Sequence, residues 1–173
     1  MLFSVFSVPL WRAVLKNSSP SQTRLHMKSL WDSSARQELS QRLDKLKPDA
    51  PAQWGRMTAP QMVVHVVDAL KMSTGELPIE EKKRPVRFAP LKQLIIYGPP
   101  FPKSVPTAPE LLVRQCEDFG TECTNLKQMM DTFAGIPATT ELPRHPAFGK
   151  LSRRAWGALT YKHIDHHFKQ FGI

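Results

Sequence analysis

The chain has 173 residues, 41% of them apolar and 23% charged, and a formal net charge of +9. That composition excludes a disordered chain, and no apolar run reaches the roughly 20 residues needed to span a bilayer, which excludes a membrane protein. Two cysteines are too few for a disulfide scaffold and point to a reducing compartment, the cytoplasm by default.

Residues 1–26 differ in character from the rest of the chain. Leu2 to Trp11 is apolar and aromatic, Asn17 to Gln22 is a Ser/Pro-rich spacer, and no acid precedes Asp32. Arg12, Lys16 and Arg24 lie in this stretch, so part of the basic excess belongs to it. The cation comes after the apolar run, which does not fit a secretory signal. The stretch reads as a dispensable extension, either an over-long start ahead of Met27 or an organelle transit peptide; a structural N-terminal helix is the alternative. The folded domain is expected over 27–173.

The domain reads as helices punctuated by proline and glycine. Leu39, Leu43 and Leu46 give Asp32 to Leu46 one apolar face, closed by Pro48 and Pro51. Thr58-Ala59-Pro60-Gln61 matches a capping box with an early proline, and the run Met62 to Met72, apolar nearly all round, predicts a buried helix ending at Gly75. Its valines leave a strand reading open. Lys82-Lys83-Arg84 reads as a solvated loop, Leu91 to Tyr97 as a short helix, and five prolines from Pro99 to Pro109 as an extended crossover. Leu112, Cys116, Phe119, Cys123, Leu126, Met130 and Phe133 then recur at spacings of four and three, the seam of a bundle helix that stops at Gly135 and Pro137. On such a helix Cys116 and Cys123 lie two turns apart and cannot pair with each other. Ser152 opens a last helix that runs to about Phe171. The expected fold is all-α, a four-helix bundle with a long Pro-rich crossover before its third long helix. Its apolar seam raises the expectation of a homodimer.

Six histidines carry the functional signal. His163 and His167 are four apart on the last helix, on the face that also bears Trp156, Leu159 and Thr160. Two imidazoles on an apolar face need partners for their nitrogens, and a divalent metal ion supplies one for both. His65, in the middle of Met62-Val63-Val64-His65-Val66-Val67, is the candidate third ligand. A lone His there would read as a hydrogen-bonded core residue. Asp68, one turn on, could orient an imidazole or bind the ion itself, and His166 sits at the rim of the paired face. His145, in a Pro-flanked loop, reads as structural or exposed, with a lid over the site as the alternative.

These features together resemble the DinB/YfiT-like superfamily: a buried His on the second helix and H-x-x-H-H-x-x-Q on the last. Trp54-Gly55-Arg56-Met57-Thr58, Pro100-Phe101-Pro102-Lys103, His145-Pro146-Ala147-Phe148-Gly149 and the ending His166 to Gly172 resemble an uncharacterised bacterial branch of it. The resemblance covers about Met27 to Ile173. It implies one divalent ion held by His65, His163 and His167, zinc first, with nickel, iron or manganese as alternatives. It further implies an enzyme that joins a low-molecular-weight thiol to a small electrophile, or a hydrolase-like one that uses water. Asp68 or His166 would then orient a ligand or shuttle a proton. Phe168 departs from the commoner form, in which Arg often comes after the second ligand of the last helix, and puts the pocket chemistry in question.

Two other readings compete. One is a non-enzymatic bundle whose histidines hold a metal for stability or only bond one another. The other is nucleic-acid association, disfavoured because Thr107 to Ala134 carries five acids against two bases and no helix is a basic stripe. Lys82, Lys83 and Arg84 could attract an anionic thiol or simply confer solubility.

Overall fold

Apolar periodicity and local capping build five α-helices in the computed structural model, which describes residues 27–82, 85–103 and 109–173. They are α1 (Ser33–Leu43), α2 (Ala59–Thr74), α3 (Leu91–Tyr97), α4 (Phe119–Gly135) and α5 (Arg153–Gln170), with 3-10 turns at Pro85–Arg87 and Pro109–Leu112. Among the described residues no β-strand forms, only an isolated bridge between His145 and Gly149. The fold is all-α. Residues 1–26, Lys83, Arg84 and the middle of the Pro-rich crossover lie outside the described residues.

Each start and stop has a local cause. The Thr58 hydroxyl accepts from the Gln61 amide at 3.3 Å, and the Gln61 side-chain oxygen accepts from the Thr58 amide at 2.9 Å, the reciprocal box expected there. α2 ends at Gly75, whose φ of 89° is a left-handed conformation that glycine adopts without strain. The valine-rich run is therefore helix, not strand. α1 stops at Leu43 rather than Leu46, but a tightened turn, with the Leu46 amide bonded to the Leu43 carbonyl, still buries Leu46. The Ser152 hydroxyl accepts from the Ala155 amide and opens α5.

The third long helix is shorter than its periodicity predicts. It begins at Phe119, where the Asp118 carboxylate accepts from the Thr121 amide at 2.7 Å. Leu112 belongs to a 3-10 turn and Cys116 to the irregular segment between that turn and α4, so the 4,3 spacing upstream of Phe119 is not helical. A side-chain cap overrides the continuing apolar pattern. The two cysteines therefore do not share a helix; both are free thiols, half-buried, and burial pushes the Cys123 thiol up to about 11.

α1 and α2 each pack against both α4 and α5, and α3 lies on α5. Leu39, Val63, Leu126, Phe133, Ile164 and Phe168 are fully buried at the centre. Gly157 lets the chain before α1 lie directly on α5. The Leu30 amide donates to the Gly157 carbonyl at 3.0 Å, and a β-carbon at 157 would collide with Trp31 and Ser29. Trp31 is held in turn between Phe133, stacked at 4.2 Å, and the Arg153 guanidinium at 3.6 Å. No helix among the described residues is long and apolar enough to cross a membrane.

Candidate metal centre

Three histidines from two helices meet inside this arrangement. His65 lies at the middle of α2 and His163 and His167 stand on successive turns of α5, so packing α2 on α5 brings the three rings together. The Nε2 atom of His163 lies 3.1 Å from His65 Nε2 and 3.2 Å from His167 Nε2. One ligand atom from each of the three lies within 4.8 Å of the others. His65 and His167 are buried, at 2% and 7% exposure, while His163 is partly accessible.

The outward nitrogens decide what the inward ones can do. His65 Nδ1 faces the Leu111 carbonyl at 3.3 Å, which can only accept, so Nδ1 carries the proton and Nε2 presents a lone pair. The Gln170 amide is fixed because its nitrogen donates to the Trp54 carbonyl at 2.7 Å. Its oxygen then faces His167 Nδ1 at 2.9 Å, which sets the same tautomer on His167. Two lone pairs thus point at His163 Nε2, which carries at most one proton and satisfies one of them. One lone pair is left over, and the three histidines could hold a metal ion there. With bonds of about 2.0–2.1 Å, two nitrogens on a tetrahedral zinc ion stand about 3.3 Å apart, close to the spacings here, so the residues fit a divalent ion.

Electrostatics agree with the geometry. Burial holds His65 below the ordinary histidine range, against the opposing pull of the Leu111 carbonyl and Asp68. Burial lowers His167 to about 3, and burial, with the neighbouring His167 and His65 adding to it, lowers His163 well below its usual value. The neutral form that ligates metals is therefore the form present at neutral pH.

A model of the family described as "Protein of unknown function (DUF1569)" matches residues 27–172. The chain belongs to this family. No curated protein and no solved structure matches it. The DUF1569 match includes all three histidines and every residue placed around them.

The remaining candidates in this DUF1569 chain fall in different places. Asp68 makes no hydrogen bond to the cluster: both nitrogens of His65 face other groups, and the Asp68 carboxylate accepts from Arg114 Nε at 3.0 Å. Arg114 also forks onto Glu122 of α4, with Nη2 to Oε2 at 3.1 Å, so one guanidinium joins two buried carboxylates on two helices. His166 is half-buried, its ring 5.4 Å from that of His167, and it lines two cavities. The larger, about 1210 Å³, is walled by Trp54, Arg56, Val64, Leu112, His166 and His167, among others. Phe168 is fully buried beneath the Arg42 guanidinium and lines neither cavity, so the departure at this position changes the core rather than the pocket. Lys82 is tied to Glu110 at 2.7 Å.

Sequence reasoning missed Leu111, Arg114 and Glu122, and assigned Gln170 no task. The signal for Gln170 was its place three residues after His167 on the same helix face. Arg114 was visible only as one charge after the apolar Leu111-Leu112-Val113.

His145 is structural. Its Nδ1 accepts from the Ala147 amide at 3.0 Å and the Phe148 amide at 3.3 Å, and its ring packs 5.3 Å from that of Trp156. Burial lowers its pKa from 6.5 to about 4. Between those values the unfolded chain binds the proton and the folded chain does not, so stability falls as pH drops. The contribution of His145 is complete above pH 6.5 and is lost at about 1.4 kcal/mol per pH unit down to about 4. Urea midpoints measured across this window should show a shallower acid slope for His145→Gln than for the wild type; equal slopes would refute the assignment.

Proposed function

We propose that this protein is a metal-dependent enzyme of the DinB/YfiT-like type. Its four longer helices form the bundle, and His65, His163 and His167 hold one divalent ion, zinc first. The observation that carries the reading is the pair of inward lone pairs, locked by Leu111 and Gln170, converging on His163 beside a large cavity. A divalent ion held by three neutral imidazoles keeps a coordination position free and lowers the pKa of a thiol or water placed there.

The chain's own residues supply the rest. Leu111 and Gln170 hold two ligands in the metal-binding tautomer. Asp68 acts as a positioning residue through Arg114, which secures the segment bearing Leu111. Burial lowers the pKa of His166 by desolvation, so its imidazole is neutral at neutral pH and can take a proton from an incoming nucleophile. The substrates are a small electrophile and a low-molecular-weight thiol, or water in its place.

Elemental analysis of native protein should find one divalent ion per chain. His163→Ala and His167→Ala should each remove it. Zinc returned to chelated protein at about 100 times its Kd should raise stability by about 2.7 kcal/mol, read as a higher thermal midpoint. A protein that takes up no ion under any loading, with unchanged stability in both variants, would sink the metal centre. A panel of electrophiles with small thiols or water alone then tests catalysis. A metal-loaded protein with no turnover leaves a bundle that the ion only stabilises.

A further inference from the structure

Arg56 is a cation that neither the described fold nor the histidine cluster uses. It is exposed on the wall of the larger cavity and has no hydrogen bond or ion pair among the described residues. Among the described residues no Asp or Glu lines that cavity. Arg114, its other arginine, is already committed to Asp68 and Glu122. One uncommitted guanidinium therefore faces a space without acids, next to His167.

Part of the same lining has different chemistry. Leu112 and Val113 are 52% and 79% exposed, and with Val64 and Met57 they give the cavity an apolar side. Apolar side chains held open at a cavity edge favour an apolar occupant.

We propose that this cavity binds a small monocarboxylate with an apolar body, Arg56 taking the carboxylate and the Leu112–Val113 edge covering the body. Guanidinium matches carboxylate with two parallel hydrogen bonds. Binding of this anion does not rest on the metal-enzyme reading; only a role for it as substrate would.

The test is calorimetric titration with phenylbutyrate, phenylbutanol and phenylbutylamine, on the wild-type chain and on metal-free His163→Ala. The acid should bind one-to-one to both proteins, at least about tenfold tighter than the alcohol or the amine. Arg56→Gln should lose about tenfold or more for the acid alone, and Val113→Asp, which places an acid at the edge, should lose a similar factor. Equal binding of acid and alcohol, no saturable binding of the acid, or an unchanged Arg56→Gln would overturn the proposal. Binding confined to metal-loaded wild type and indifferent to Arg56 also overturns it, since the ion would then hold the carboxylate. Binding that needs Arg56 in a chain that takes up no metal supports the subsite while the metal reading fails.

Discussion

Replacing Arg114 with methionine should destabilise the protein by about 3–5 kcal/mol, the cost of leaving buried charges without their partner. Asp68 and Glu122 are only 8% and 10% exposed at the side chain, and Arg114 is the cation that both of them share. The Arg114 hydrogen bonds are the main reason Glu122 sits below the ordinary carboxylate value of 4.5, ahead of the opposing effect of burial. That depression sets the sign of the pH dependence. In the wild type this contribution is present above pH 4.5 and is lost as the pH falls through the depressed folded value. In Arg114→Met only the weaker pull of Asn125 and Lys71 is left against burial, the Glu122 pKa rises, and the destabilisation is largest at neutral pH and eases on acidification. Adding Glu122→Gln to Arg114→Met should recover part of the loss, because the amide removes one unpaired charge. Urea unfolding of the single and double variants at neutral and acid pH measures all of this. A loss below about 1 kcal/mol, the range of an exposed pair, would show that the three groups are solvated rather than coupled. The same variant should also weaken metal binding, because Arg114 anchors the segment whose Leu111 carbonyl orients His65.

That coupling marks the boundary of what the residues disclose in order. Thr58 and Gln61, Gly75 and Ser152 are legible because each acts within four residues of itself, where spacing and residue type are enough. His65, His163 and His167 are legible for a related reason: an imidazole in an apolar run, or on an apolar helix face, needs an explanation wherever it occurs. The start of α4 was not legible. The spacing of Leu112, Cys116 and Phe119 continues the helical pattern by coincidence, and the competing signal, one Asp118 cap, is a single residue. Leu111 was beyond reach altogether, since it contributes a backbone carbonyl to His65, 46 positions away, and a carbonyl carries no residue-type signal. Arg114 to Asp68 spans the same separation. The helices and the three imidazoles could thus be read, whereas the groups that orient them emerge only from the packing.

Gln170 should prove to be the residue that makes His167 a ligand. Gln170→Leu removes the acceptor of the His167 Nδ1–H and the donor to the Trp54 carbonyl together. The His167 proton is then free to move to Nε2, which hides the lone pair that the ion needs, and zinc affinity should fall about 10–100-fold. Part of any effect is structural, since the buried Nδ1–H and the Trp54 carbonyl each lose a partner at a cost of about 1–3 kcal/mol. Gly55→Ala separates the two. A β-carbon at Gly55 would lie 2.6 Å from the Gln170 side-chain nitrogen and displace the amide without changing its chemistry, although the φ of 81° adds strain of its own. The amide that holds Gln53 to the Gln170 carbonyl at 2.7 Å is backbone and survives in both variants, so the loop stays docked on the end of α5. Competition with a chromophoric chelator reads zinc affinity directly, and urea unfolding of the metal-free variants reads the structural part. Weaker zinc binding in both, beyond what their metal-free stabilities account for, assigns Gln170 the positioning role; unchanged zinc affinity in Gln170→Leu would remove it.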